Sequence, residues 1–345
     1  MGDIAKGALV GAWTLVVGWI LPAAVNLSVF FLAVAPSLRT TTPLSQIWPT
    51  TSANVALLLL SSSVVLGLVL NALQNPLYRV LEGYLLWPAR LYERACARRR
   101  QHKWDLQDRL RLLRLQRRLQ SSNHLPVLAQ ADLTRLRHHP RIMRAAQRDR
   151  RRTAAQRALL REELRRYPVD DAQIAPTRLG NGIRRFEEYG YDRFRLDTQI
   201  LWNELTGSAP EQVRRQVDVA RASVDFFVAL LAGHAVVFAA AVVTVSSTGG
   251  RVAALTGTAI ALGCLIPVWY RSAVAATDEW TAAVRALVNL GRKPLAEGLG
   301  LVLPEELEEE RAMWALVSKL SRVPYRDGAT ALDPYRAVPL PPPVG

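Results

Sequence analysis

Residues Phe226–Val245 read FFVALLAGHAVVFAAAVVTV and contain no Asp, Glu, Lys or Arg over their whole length. Asp225 immediately precedes this run, and Arg251 is the next charged residue after it. A helix of about 20 apolar residues is long enough to cross the hydrocarbon core of a bilayer. This stretch therefore predicts a transmembrane helix, and it decides the class of fold to which the chain belongs.

Three further runs have the same character. After Lys6, Arg39 is the only charged residue before Arg79. The first run exceeds the hydrophobic region of a cleaved signal peptide, which has about 7–15 residues, so we interpret it as a retained span. The sequence thus predicts four spans, at roughly 8–34, 53–73, 226–245 and 252–269.

The positive charge is concentrated between the second and third spans. From Arg79 to Arg221 there are 32 Lys and Arg and 17 Asp and Glu, a net charge of +15 that equals the net charge of the whole chain. Basic residues that flank spans accumulate on the cytoplasmic side. We therefore predict that this segment and both termini are cytoplasmic. The 40 arginines against four lysines are typical of a GC-rich bacterial genome, so the predicted location is the bacterial plasma membrane.

The basic segment has a helical pattern. Residues 91–120 contain no Gly or Pro, and their leucines recur every three or four positions, which predicts one long helix with an apolar face. A short helix is predicted at about 127–137 and a second long one at 140–166, in which RDRRR, Arg148–Arg152, is a solvated turn. Two long helices with a break favour a helical hairpin or coiled coil.

The predicted fold class is all-α, with four transmembrane helices and a large helical cytoplasmic insertion, hairpin-like or coiled-coil-like, between spans two and three. Ser208–Glu211 reads as an S-x-x-E capping box that starts the helix carrying the third span. The predicted organisation is a transmembrane hairpin at 1–78, a basic helical cytoplasmic domain at 79–210, a transmembrane hairpin with long cytoplasmic extensions at 211–290, a cytoplasmic helical segment at 291–322, and a Pro-rich disordered tail at 323–345.

The stretch APTRLGNGIRRFEEYGYDRFRLD, Ala175–Asp197, is the candidate motif of the basic segment. We predict a sharp turn at Gly180, Asn181 and Gly182, which tolerate positive φ, followed by a short helix that starts at Ile183 and ends at Gly190. Its aromatic residues are expected to pack on the root of the third-span helix and on the helix that carries Trp314. A ligand-binding alternative stays open, because hydroxyl, guanidinium and amide donors occur together. The candidate residues are Pro176, Thr177, Arg178, Leu179, Gly180 and Asn181.

This motif resembles a pattern in uncharacterised multi-span integral membrane proteins, chiefly of high-GC Gram-positive bacteria. Those proteins carry P-T-x-L-G-N, then a helix, then an aromatic, Asp and Trp stretch before a span. Pro176, Thr177, Leu179, Gly180, Asn181, Asp197 and Trp202 match that pattern, and the similarity covers about the second half of the chain. The resemblance implies residence in the membrane and no particular activity.

Polar residues in or beside the spans are a second group of candidates. Asn71 lies in span two, His234 in span three, and Asp225 at the edge of span three. Ionisable residues in membrane spans are functional suspects, although hydrogen bonding between helices is the commoner role. No catalytic template and no metal-ligand spacing is present, so we predict no catalytic residues, no cofactor and no metal.

The functional prediction is a membrane-anchored, non-enzymatic scaffold or sensor whose cytoplasmic helices bind a partner. The alternative is an oligomeric, channel-forming effector of the toxin or phage-defence type, gated by the cytoplasmic domain. The predicted partners are the anionic inner leaflet, a protein of unknown identity and a second copy of the chain. Nucleic acid ranks behind them, because the leaflet is the nearer polyanion.

Overall fold

A computed structural model describes residues 11–38, 52–122, 124–151, 154–247, 252–323 and 327–336. Within these residues the fold is all-α and has no strand; Leu301 and Arg336 form one isolated backbone bridge. The helices, in chain order, are α1 (Gly11–Leu38), α2 (Ser52–Ala72), α3 (Gln74–Glu82), α4 (Ala89–Ser122), α5 (Val127–His138), α6 (Pro140–Arg150), α7 (Ala154–Arg165), α8 (Arg178–Glu187), α9 (Tyr189–Phe194), α10 (Trp202–Ser208), α11 (Glu211–Ser247), α12 (Val252–Gly298) and α13 (Leu307–Leu320).

Four of these helices, α1, α2, α11 and α12, are long and apolar enough to cross a membrane, which confirms the four-span prediction. Helix α1 packs against α2 and α11, and α11 packs along α12. Gly67 of α2 allows the close approach of α1, because a Cβ at this position would lie 2.8 Å from Ile20 Cα. Small residues at such crossings are the usual means by which membrane helices pack closely. The short predicted loops between the paired spans lie mostly outside the described residues.

Contacts divide the chain into two compact units. Unit 1 comprises Met1–Arg79 and Glu187–Gly345, and unit 2 comprises Val80–Phe186. The predicted cytoplasmic domain starts at residue 79, one residue before unit 2, but extends to residue 210, whereas residues 187–210 fold with unit 1. Leu205 of α10 packs there against Gly291 of α12, where a Cβ would lie 2.9 Å from Leu205 Cδ1.

Unit 2 is built on the long helix α4. Its C-terminal half packs against α5 and α6. Its middle packs against α7 through a cluster of Leu106, Leu160 and Tyr167. At the same contact His102 Nε2 lies 3.0 Å from Glu163 Oε1, and this hydrogen bond holds the pKa of the Glu163 carboxyl below its usual value. Three helices, α5, α6 and α7, therefore pack on α4.

The predicted solvated turn RDRRR is wrong at its acidic residue. Asp149 is 1% exposed, and its Oδ2 accepts hydrogen bonds from Arg109 Nε at 2.9 Å and Nη2 at 2.7 Å. Helix α6 is amphipathic: Ile142 and Ala146 are buried on the same side as Asp149. This ion pair joins α6 to α4 inside unit 2.

Two further local predictions, one helix start and one disordered segment, differ from the structure. Ser208 ends α10, and its hydroxyl donates to the carbonyl of Glu204 at 2.9 Å, so it closes the preceding helix in addition to standing before α11. Within the predicted tail, Asp327–Tyr335 form a 3-10 helix, and the carbonyl of Tyr335 accepts a hydrogen bond from Val302 N at 2.7 Å. Residues 337–345 of that tail lie outside the described residues.

Candidate functional site

The candidate motif of unit 2 forms the start of helix α8. Thr177 precedes the first helical residue, and its Oγ1 accepts a hydrogen bond from Gly180 N at 2.9 Å, which is an N-cap. Gly180, Asn181 and Gly182 therefore lie inside the helix. The predicted turn at these three residues and the predicted helix start at Ile183 are wrong.

Asn181 fixes the backbone that leads into this helix. Its side chain is 2% exposed. Its Nδ2 donates to the carbonyls of Ala175 at 2.7 Å and Thr177 at 2.5 Å, and its Oδ1 accepts from Ala175 N at 3.0 Å. The amide group is fully used inside the protein, as a buried amide must be to avoid a desolvation penalty.

The same segment, near the end of unit 2, is in contact with residues at the beginning of unit 2. Thr177 Oγ1 donates to the carbonyl of Glu82 at 3.1 Å. A Cβ on Gly180 would lie 2.8 Å from the same carbonyl oxygen and 2.8 Å from Ala175 Cβ. Gly83 has φ of +96° and touches Pro176. We call residues 82–83 and 175–181 the clasp.

Most of the polar groups of the motif are used within the clasp and are not available to bind a ligand. Thr177 and Asn181, two of the three predicted ligand donors, are bonded within the clasp, while Arg178 is exposed on the surface. Pro176 is also bonded to α4, because Arg99 Nε of that helix donates a hydrogen bond to the Pro176 carbonyl at 3.3 Å. The glycine is required by the close approach of Glu82, which comes from 98 positions earlier and gives no local sequence signal.

In unit 1, His234 is bonded inside the helix bundle. Its Nδ1 lies 2.6 Å from Asn26 Oδ1, and both residues are buried. Asn26 Nδ2 donates to the carbonyls of Pro22 at 2.8 Å and Ala229 at 3.2 Å, which orients the amide so that Nδ1–H of His234 is the donor. Sequence reasoning missed Asn26 as a partner, although it is the one amide residue of α1.

Asn26 lies between two π-helical turns of α1, Val16–Ile20 and Phe30–Val34. Gly233 of α11 is in contact with the Asn26 side chain, so a side chain at this glycine would displace the amide. The backbone irregularity and the glycine together admit a polar pair between two apolar helices. An interhelical bond of this kind is worth about 1 kcal/mol in a membrane protein.

Asp225 lies in a separate polar group at one end of the bundle. It is 6% exposed, and its Oδ1 accepts a hydrogen bond from Tyr78 Oη at 2.7 Å. Arg221 lies one helical turn before it, with Nε 3.8 Å from Asp225 Oδ2, and its Nη2 donates to Gln74 Oε1 at 3.0 Å. Asn71 and Asp225 both line a crevice of about 360 Å³ at this place. The structure thus brings Asn71 and Asp225 together, whereas His234 does not line the crevice.

The aromatic residues after the motif pack on α12 and on α13, which confirms the predicted contact with the helix that carries Trp314. The Arg292 guanidinium lies 4.0 Å from the centre of the Phe194 ring. Arg292 Nη1 also donates to the buried Glu310 carboxylate at 2.7 and 2.8 Å. In the part of the chain that the structure describes, no three His, Cys, Asp or Glu side chains are grouped as they would be around a metal ion.

The fold and these contacts define an all-α membrane protein with four membrane-length helices and a separate helical unit between the second and third of them. No family model, no curated protein and no solved structure matches the chain.

Proposed function

We propose that the protein is a membrane-anchored, non-enzymatic scaffold or sensor whose helical unit 2 binds a partner. One observation carries this proposal: unit 2 has its own core and is closed on itself by the clasp between Glu82 and Thr177. A unit that folds on its own contacts is suited to present a fixed surface.

The surface of unit 2 supports a partner with acidic groups. Four arginines and one glutamine of α6 and the residue after it border a surface depression of about 690 Å³: Arg141, Arg144, Gln147, Arg148 and Arg151. The only acidic residue of α6, Asp149, points inward to Arg109. Arginine binds carboxylates and phosphates through two parallel hydrogen bonds, so this face fits an acidic protein surface or the anionic inner leaflet.

Two consecutive apolar side chains of unit 2 are also exposed. Val127 and Leu128 at the start of α5 are 81% and 83% exposed. Contiguous exposed apolar residues are typical of protein interfaces. A protein partner is therefore the first candidate in our proposal, the leaflet the second, and a second copy of the chain the third.

The proposed orientation places both termini and unit 2 in the cytoplasm, since the positive charge lies there. Reporter fusions at Thr41 and Thr248 are expected to report an outside location, and fusions at Ser121 and at the C-terminus an inside location. The measurement is paired alkaline phosphatase and green fluorescent protein activity in whole cells. An inside location at Thr248 would contradict this topology.

Partner binding is tested by a photo-reactive amino acid placed at Leu128 in the full chain in cells. We expect one discrete protein adduct, lost on the double substitution Arg144→Glu and Arg148→Glu because two of the four positive charges of the α6 face are reversed. The same probe at Leu159, which is 60% exposed on α7, is the control and should give no such adduct.

Membrane potential separates this function from the channel-forming alternative. With a potential-sensitive dye, expression of the intact chain is expected to leave the potential unchanged. Depolarisation on expression, or the absence of any adduct at Leu128, would overturn the scaffold proposal.

A further inference from the structure

The crevice beside Asp225 has the chemistry of a binding site. It lies between α1, α11 and the end of α2 with the start of α3, and its volume of about 360 Å³ is in the range of small-ligand pockets, roughly 300–1,000 Å³. Its lining is mixed. The apolar residues include Leu15 and Trp19, and the polar residues are Thr14, Asn71, Gln74, Asp218, Arg221 and Asp225.

The crevice contains both signs of charge on one helix face. Asp218, Arg221 and Asp225 are three and four positions apart on α11, so their side chains project from the same side. Asp225 accepts a hydrogen bond from Tyr78. Arg221 donates one hydrogen bond to Gln74, and its other guanidinium N–H groups can donate to a ligand. Asp218 and Asn71 make no side-chain hydrogen bond to any residue that the structure describes.

The position of the crevice along the helices corresponds to the membrane surface. Asn71 lies at the end of the apolar run of α2, and Asp225 immediately precedes the uncharged run Phe226–Val245 of α11. The boundary between the apolar and the charged part of a transmembrane helix lies at the depth of the lipid headgroups. A ligand that is always present at this depth is a phospholipid.

We propose that the crevice binds the headgroup of a phospholipid that carries both a phosphate and a primary ammonium group, a phosphatidylethanolamine. The phosphate is bound by Arg221, and the ammonium donates to the Asp218 carboxylate and to the Asn71 amide oxygen. Leu15 and Trp19 provide the apolar wall along which the acyl chains leave. This inference does not depend on the function proposed for unit 2.

The charge balance of the crevice selects among lipids. With two carboxylates and one guanidinium, the crevice disfavours a headgroup that is only anionic, such as phosphatidylglycerol. A choline headgroup is zwitterionic but has no N–H donor for Asp218 and Asn71. Only the ethanolamine headgroup can donate charge-assisted hydrogen bonds to these acceptors, so we expect about tenfold tighter binding of ethanolamine than of choline lipid.

The test uses native mass spectrometry of the purified, delipidated full chain titrated with phosphatidylethanolamine, phosphatidylcholine and phosphatidylglycerol of identical acyl chains. The expected order of affinity is ethanolamine first, by about tenfold. Asp218→Asn should abolish the difference between ethanolamine and choline lipids, and Arg221→Gln should weaken both. Arg215→Gln, on the same helix but outside the crevice, is the matched control and should change neither. Thermal unfolding of each variant shows that it is folded.

Three results would overturn the proposal. Equal affinity for the ethanolamine and choline lipids, or a preference for phosphatidylglycerol, would exclude recognition of the ammonium. If the Asp218→Asn variant still preferred the ethanolamine lipid, the ammonium would be recognised at a different site. If soluble glycerophosphoethanolamine bound as tightly as the intact lipid and competed with it, the ligand of the crevice would be a soluble amine phosphate.

Discussion

Gly180→Val is expected to destabilise unit 2 by about 3 kcal/mol or more, because the new side chain has no room on either side. Its Cβ would lie 2.8 Å from the carbonyl oxygen of Glu82 and 2.8 Å from Ala175 Cβ. The carbonyl is backbone and is bonded by Thr177, so it cannot move without opening the clasp. The expected observations are a lower level of protein in cells and faster proteolysis within residues 80–186 of the purified chain.

The matched control is Gly207→Val in α10. A Cβ at Gly207 would meet nothing within 4 Å, so the substitution is expected to change the free energy of unfolding by less than about 1 kcal/mol. Thr177→Ala tests the clasp in a second way: it removes the N-cap and the bond to Glu82, and should cost about 1–2 kcal/mol. Wild-type protease resistance in both Gly180→Val and Thr177→Ala would show that the clasp does not stabilise unit 2.

Arg178→Ala separates the structural role from the ligand-binding alternative. Because Arg178 is exposed, we expect little change in stability or in the adduct formed at Leu128. Loss of that adduct, with the protein level and the protease resistance unchanged, would show that a ligand site lies at the motif.

Arg109→Met is expected to destabilise unit 2 by about 3–5 kcal/mol, since it removes the guanidinium that donates two hydrogen bonds to the buried Asp149 carboxylate. Asp149 is 1% exposed and receives two hydrogen bonds from the guanidinium. The methionine keeps most of the apolar volume of the arginine stem, so the loss reports the charge and not a cavity. The measurement is thermal unfolding of the full chain in detergent, followed by circular dichroism.

Arg111→Met is the control for this experiment, because Arg111 is two residues away on α4 and pairs with Asp132 at the surface. Exposed pairs contribute about 0–1 kcal/mol, so its unfolding temperature should be close to that of the wild type. The double substitution Arg109→Met and Asp149→Leu removes both charges and should recover most of the lost stability. Equal effects of Arg109→Met and Arg111→Met would contradict a buried pair.

The sequence was sufficient for features that a local pattern encodes. An uncharged run such as Phe226–Val245 is stable in the hydrocarbon core of a membrane. Residues 91–120 contain no Gly or Pro and have regularly spaced leucines, so their own sequence predicts a helix. Helical structure and span number could therefore be predicted. The leucine spacing of α4 likewise predicted an apolar face, but not that three helices would share it.

The contacts that define the candidate sites depend on residues far apart in the chain. Glycine permits both positive φ and the close approach of another backbone, and Gly180 was assigned to a turn on the first property. Only the position of Glu82 shows that the second property, the absence of a Cβ, is the one that matters here. Asp149 appeared solvated among arginines until Arg109, 40 positions earlier, was placed beside it. The partner of His234 is Asn26, 208 positions away. A single sequence gives no period or spacing from which such pairs could be found.

The clasp has a consequence for how such a protein can arise. Thr177 Oγ1 and the carbonyl of Glu82 are 3.1 Å apart, so residue 82, near the beginning of unit 2, and residue 177, near its end, are neighbours. A segment with adjacent ends can be gained, lost or exchanged as one genetic cassette, because its replacement by another segment with the same spacing imposes no stretch on the flanking helices. The membrane helices and unit 2 can therefore have separate evolutionary histories, and a different recognition unit could be grafted at the same junction.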